Sequence, residues 1–416
     1  MNNIKEEKII FHIDFDSYFV SAARTLNPEL INVPVAIGRN SSNAIATSVS
    51  YELKNLKFKP GDKISAIKKK IPNLKVVEPR FELYTYLSSS IFDYIYNNYS
   101  KVMEVVSIDE CFVDVSHLVK NYQEAITLAY EIQNVINRDF KIPLTIGISY
   151  NKFLAKMTTN INKPFGVGLT TVSDVKKNFY HLDVEKFYGI GKANALKLKS
   201  IGIYTIGDLA KKDHNSFELN DALGVISRNI VLEARGLGSN IVNTNKNEVK
   251  TIGNSLTFES FTLDEKEDIL VILKSLIRKV STRAQNRNLV GNVITVLIRT
   301  NKGIWTNKQK KIDNFVNSYD DIFYWSNIIM FEFYNDEEIK GIGIRLSGLA
   351  NIFELNKMNN LFDMKQPKSK LERVINKVNF KTGNKTLLTL KEFQSDKSKK
   401  HSQNKYLHED NVFKKF

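Results

Sequence analysis

The run Ile9-Ile10-Phe11-His12-Ile13 is continuous, apolar and β-favouring, and it stops at Asp14-Phe15-Asp16-Ser17. A strand of that composition is expected to be buried on both faces, so carboxylates at its end need a reason. Asp16 has a simple one, because the helix-compatible run Ser17–Arg24 follows it and Asp is a good N-cap. Asp14 lies inside that cap, where a carboxylate without a cation is poorly solvated.

A second acidic pair has the same setting. Lys101–Ile108 and Cys111–Val115 read as two strands, with Asp109-Glu110 at their junction. Neighbouring acids in a low dielectric raise one pKa or recruit a cation, and carboxylates from two strands can hold Mg²⁺. An Asp-Glu pair alone is usually a solvated turn, and Asp14 alone a helix cap. At the ends of the most apolar strands of the first half, together they point to a divalent-metal site.

Charge indicates what such a site would serve. Lys and Arg number 60 against 45 Asp and Glu in 416 residues, a formal net charge of +15. An extended polyanion is the expected partner, nucleic acid ahead of an anionic membrane surface. The length allows about two to four domains, and 42% apolar with 25% charged residues describes globular material rather than disorder. No stretch approaches the ~18 apolar residues of a spanning helix, and the start MNNIKEEKII is unlike a signal peptide, so a cytoplasmic location is expected. The single cysteine, Cys111, excludes an internal disulfide, and a lone thiol with six histidines argues against a Cys/His zinc site. Any metal is therefore expected on carboxylates.

A two-metal site facing a polyanion suits nucleotidyl transfer, one ion lowering the pKa of a hydroxyl and the other clamping a triphosphate. Hydrolysis by a nuclease is the chemical alternative. Groups for the triphosphate are available in Tyr51 with Lys54 one helical turn on, and in Lys163 of Asn162-Lys163-Pro164. Gly189-Ile190-Gly191 before the Ala-, Leu- and Lys-rich run from Lys192 reads as a helix-hairpin-helix, whose glycines permit positive φ and expose backbone N–H groups to phosphate.

The segment 239–248 reads as a linker. Beyond it the pattern is strand (249–258), helix (Asp264 as N-cap, to about 286), strand (290–300), strand (304–312), helix (318–332) and strand (342–349), a β-α-β-β-α-β unit. Ile304–Ile312 puts cations on both faces of one strand, either a phosphate-facing sheet surface or an ordinary basic edge. Residues 364–416 hold fourteen Lys/Arg against five Asp/Glu. One helix over 371–380 and a disordered end are expected there.

In order, His12–Phe19, Thr47–Lys54, Ser107–Asp114, Gly147–Lys156, Asn162-Lys163-Pro164, Gly189–Gly191 and Lys250–Asn254 resemble the motifs of the Y-family translesion DNA polymerases of the bacterial polymerase IV and V type, over about residues 8–362. The resemblance implies an α+β multidomain right-hand fold. Its parts would be a ferredoxin-like palm (1–14 and 77–171), small fingers (15–76), a helix-hairpin-helix thumb (172–238), a little finger (249–353) and a basic tail (354–416). It implies that Asp14, Asp109 and Glu110, with the Phe15 carbonyl, hold two Mg²⁺ ions, with Mn²⁺ as a substitute. Phe19 would be the steric gate against a ribose 2′-OH, and Tyr18, Ser48, Tyr51, Lys54 and Lys163 would bind the dNTP. Gly189, Gly191, Lys192, Lys308, Lys310 and Lys311 would meet primer-template DNA. A monomer without proofreading that bypasses lesions at low fidelity follows, the alternative being a catalytically weak scaffold at damaged DNA.

Three positions and one segment depart from the family pattern. Lys54 stands where Arg is usual, Asn160 where Asp is usual, and Tyr188 replaces a common Pro. Near the C-terminus, Met358–Phe362 keeps only Leu361 and Phe362 of a sliding-clamp-binding peptide, which implies weak clamp binding at most.

Overall fold

The computed structural model describes residues 8–39, 41, 44–244, 249–258, 263, 266–335, 337–353 and 355. The described residues up to 244 form one compact unit and those from 249 on a second.

The first unit contains, in chain order, β1 (Ile10–Phe15), α1 (Tyr18–Leu26), β2 (Val35–Ile37), β3 (Ser48–Val49), α2 (Tyr51–Asn55), α3 (Ile64–Lys70), β4 (Lys75–Val77), α4 (Phe81–Asn98), β5 (Met103–Val105), β6 (Glu110–Asp114), α5 (Tyr122–Phe140), β7 (Leu144–Ser149), α6 (Lys152–Asn162) and β8 (Val167–Leu169). Five strands form one sheet in the order β5-β6-β1-β7-β8. Its central strands β1 and β7 are buried along their whole length.

Alternation along β1 divides its side chains between two layers. Phe11, Ile13 and Phe15 join a core with Ile91, Phe92 and Ile95 of α4 and Ala125, Ala129 and Ile132 of α5, each large side chain contributing about 1.5–3 kcal/mol by burial. On the other face, Ile10 packs with Ala155 of α6 and His12 bonds to Thr159 of α6. Gly147 lets α6 lie this close, because a Cβ there would sit 2.2 Å from the Ala155 carbonyl oxygen.

The strand does not stop at Ile13. It continues through Asp14 to Phe15, which makes Asp14 a ladder residue paired with Glu110 on one side and Thr145 on the other. Residues 35–77 build a separate three-stranded sheet, β3-β2-β4, over a small core of Ala36, Val49, Leu53, Ile64 and Ile67. After β8 the chain is helical: α7 (Val175–Phe179), α8 (Lys192–Ser200), α9 (Ile206–Lys211), α10 (Phe217–Leu223) and α11 (Ser227–Ala234).

The second unit runs β9 (Thr251–Thr257), α12 (Lys266–Asn286), β10 (Leu289–Thr300), β11 (Trp305–Val316), α13 (Tyr319–Phe333) and β12 (Ile339–Asn351), an antiparallel sheet of order β11-β10-β12-β9. Ile294, Val296, Ile298, Ile342, Ile344 and Leu346 share one face and pack with Ile269, Leu273 and Ile277 of α12 and Ile322 and Ile329 of α13. Asp264, the expected cap of α12, and the tail with Leu361 and Phe362 lie outside the described residues.

Candidate active site

Register sets up the acids. Asp14 and Glu110 are direct partners across the β1–β6 ladder, and like charges so placed repel unless a cation intervenes. Lys156 of α6 intervenes, its Nζ 3.0 Å from Asp14 Oδ2 and in a short contact with Glu110 Oε2. Lys163 reaches the other Asp14 oxygen, Oδ1, at 2.5 Å. Burial opposes charge on Glu110, but His12 and Lys156 outweigh it and hold its pKa near 2. Burial also opposes charge on Lys156, yet Asp14 and Glu110 raise its pKa. Neither the Lys156 brace nor His12 stood out in the sequence, where one lysine among many carries no signal.

Asp109 is close but turned aside. Its backbone carbonyl accepts from Phe15 N–H at 2.8 Å, tying the two acid-bearing segments together. Its carboxylate accepts from Ser107 Oγ at 2.5 Å. Burial, then the charges of Asp14 and Glu110, push its pKa up. Among the described residues, the potential ligand atoms within 4.8 Å of one another belong to His12, Asp14 and Glu110. His12 is a poor candidate for a hard cation, which prefers oxygen ligands, and its Nδ1 is engaged with Thr159 Oγ1 at 2.9 Å. A carboxylate pair that already draws two ammonium groups, with a third carboxylate beside it, is an all-oxygen set suited to Mg²⁺.

Asp16 is not the helix cap that the sequence suggests. Ser17 occupies the N-cap position at φ 43°, with no side-chain cap. The Asp16 carboxylate, 2% exposed, instead accepts from Thr145 Oγ1 (3.1 and 3.0 Å), Tyr51 Oη (3.0 Å) and Phe165 N–H (2.7 Å).

Phe19 lies face to face on Tyr84, with ring centroids 4.2 Å apart and 8° between planes, and edge-on to Phe81 at 6.0 Å. A ring held on two sides is rigidly aimed. Tyr18 differs from expectation. Its side chain is core, and its hydroxyl is committed to the Tyr84 carbonyl, so only its backbone is left for a ligand. Ser48 begins β3, and Tyr51 and Lys54 share α2, with the Lys54 ammonium 4.2 Å from the Tyr51 ring centre. Burial and the nearby Lys163 lower the Lys54 pKa.

Of the two glycines in Gly189-Ile190-Gly191, Gly189 has positive φ, at 93°, whereas Gly191 is an extended N-cap to α8 at φ −82°. Gly189, Gly191 and Lys192 are exposed around buried Ile190, leaving the first N–H groups of α8 outward.

The second unit separates the three lysines of β11 by face. On β11, Lys308 and Lys310 pair with Val296 and Ile294, so they share the helix-covered face, where both lie near Glu332 (3.4 and 3.9 Å). Lys311 is on the open face. Arg345, Thr295 and Gln309 form one cross-strand row there, and Gly341, Arg299 and Trp305 another. Arg345 and Lys311 are exposed and have no carboxylate partner among the described residues.

Comparison with known proteins matches the chain to one family along most of its length. Residues 13–160 match the impB/mucB/samB family and residues 249–357 match the impB/mucB/samB family C-terminal domain. The chain is 33% identical over 359 residues to DNA polymerase IV of Ureaplasma parvum, covering 86% of this chain and 99% of that one. It is 30% identical over 413 residues to DNA polymerase IV 1 of Bacillus subtilis, covering 97% and 98%. Among solved structures it resembles the Y-family DNA polymerase chimera Dbh-Dpo4-Dbh, with a TM-score of 0.75 and 26% identity, covering 82% of this chain and 99% of that one. An insertion ternary complex of Dbh DNA polymerase matches with a TM-score of 0.60, 26% identity and coverage of 82% and 99%.

Proposed function

Because this chain belongs to the impB/mucB/samB family of Y-family, polymerase IV-type DNA polymerases, we propose that Asp14, Asp109 and Glu110 are its catalytic centre for template-directed addition of deoxynucleotides to a primer 3′-OH. The activity is that of a low-fidelity translesion polymerase. The alternative, a catalytically weak scaffold, is not favoured, since all three acids are retained. The observation that carries the assignment is the pairing of Asp14 with Glu110 under a cationic brace, with Asp109 bonded to the next residue along β1.

The three carboxylates, with the Phe15 carbonyl, would hold two Mg²⁺ ions, or Mn²⁺ in their place. When bound, such ions lower the pKa of the primer hydroxyl and stabilise charge on the triphosphate. Lys54, Lys163, Ser48 and Tyr51 bind the triphosphate; its negative charge removes the repulsion between the two lysines. Phe19, fixed by Tyr84 and Phe81, excludes a 2′-OH by contact. Tyr18 serves as core support for that ring.

Gly189, Gly191 and Lys192 offer backbone and charge to a DNA phosphate. On the second unit the DNA-facing groups are Lys311, Arg345, Arg299 and Trp305 of the open face, with Lys308 and Lys310 peripheral. A monomer is expected. Among the described residues no helix is long and apolar enough to cross a membrane, and a cytoplasmic site of action fits a DNA substrate. Weak clamp binding through Leu361 and Phe362 belongs to the same reading; unchanged clamp affinity after Leu361→Ala with Phe362→Ala would remove it.

Primer extension on undamaged and abasic templates with Mg²⁺ and dNTPs tests the central assignment. The intact chain extends past the lesion and Asp109→Ala does not; equal extension by both would overturn it.

A further inference from the structure

We infer that Asp16 is a positioning residue for the incoming triphosphate: a buried carboxylate that fastens α2, through Tyr51, and the loop after Lys163 to β7, so that two phosphate-contacting segments are set before substrate arrives. The inference rests on the assignment of Tyr51, Lys54 and Lys163 to the triphosphate.

The two acids of Asp14-Phe15-Asp16 look equivalent in the sequence, and the structure separates them. Asp14 faces the Lys156, Lys163 and Glu110 cluster. Asp16 has both oxygens consumed, Oδ1 by Tyr51 and Thr145, and Oδ2 by Thr145 and Phe165. It neither caps α1 nor belongs to the group of ligand atoms found among the described residues. A buried carboxylate is costly unless its hydrogen bonds are complete, and here the bonds that complete it reach three separate segments.

They join distant parts of the chain, 35, 129 and 149 residues away. Thr145 lies on fully buried β7 and supplies the fixed point. Tyr51 starts α2, which carries Lys54 one turn on. Phe165 follows Lys163 by two residues and is held at φ 51°, a left-handed conformation that a residue with a Cβ rarely adopts. The bond from Phe165 N–H to Asp16 sustains that turn and thereby the departure direction of the Lys163 side chain. Placing the binding groups in advance removes an ordering step from substrate binding. The Asp16 contribution should therefore appear in dNTP affinity.

Single-nucleotide insertion kinetics test this with Asp16→Asn, Thr145→Val and Lys163→Met. Asn keeps the shape but presents an NH₂ group where a donor expects an acceptor. Thr145→Val removes a fixed-point donor from a fully buried residue and guards against a poorly folding Asp16 variant. The expected result is a dNTP KM raised about tenfold in Asp16→Asn, and in the same direction in Thr145→Val, with primer-template Kd and ribonucleotide discrimination unchanged. In a double-mutant cycle the two effects should be strongly non-additive. If Lys163→Met raises KM while Asp16→Asn and Thr145→Val alter only kcat or thermal stability, the inference fails alone. If Lys163→Met leaves KM unchanged, the triphosphate assignment fails and takes the inference with it.

Discussion

The sheets of the two units are built for opposite tasks. In the first, β1 and β7 are covered on both faces, and the acidic groups emerge at one spot where each is matched by a named partner: Asp14 by Lys156 and Lys163, Glu110 by Lys156, Asp109 by Ser107. In the second, helices cover one face only, and the other spreads Lys311, Arg345, Arg299 and Trp305 over three strands. Point chemistry needs a fixed geometry in a low dielectric, so losing one group is severe. A phosphate-facing surface works by summed long-range charge, so losing one group is mild and salt-dependent.

The comparison is broken most easily at the acids. Glu110→Ala is expected to lower primer extension by about 10²–10³-fold, the scale of losing one preorganised electrostatic partner, with primer-template affinity nearly intact in a gel-shift or anisotropy titration. Next in size, Phe19→Ala should reduce discrimination against ribonucleotides by about 10–200-fold, the span of a pocket contact; competing dNTP and rNTP insertion measures it. Smaller still, Arg345→Gln and Lys311→Gln should each lower the slope of log affinity against log salt by about 1, while Lys308→Gln leaves it unchanged. Smallest is a null effect. Cys111 is fully buried and burial pushes its thiol pKa up, so the native protein should resist alkylation that goes to completion after unfolding.

Much of this was legible in the residues because it is local. A continuous apolar run ending in Asp14, an acidic pair between two strands, and alternating strand and helix periods in 249–353 are patterns of neighbours, and the second unit has the expected β-α-β-β-α-β order. What escaped depends on residues far apart. Asp16 reads as a cap until Thr145 and Phe165, 129 and 149 positions on, arrive beside it. Lys156 gains its role only because Gly147 lets α6 approach β1 and β7 closely. Lys308 and Lys310 look equivalent to Lys311 until pairing with β10 shows which face the helices cover, and in strands one residue of offset reverses the face.

The most direct test of the division between chemistry and grip measures extension and DNA affinity in the same samples, for the intact chain, Glu110→Ala, and Lys311→Gln with Arg345→Gln. The account predicts that Glu110→Ala binds primer-template normally and extends it about 10²–10³-fold more slowly. The double variant should bind more weakly, with a flatter salt dependence, and extend normally once DNA is saturating. A Glu110→Ala protein that extends as fast as the intact chain, or a double variant that stays inactive at saturating DNA, would contradict it.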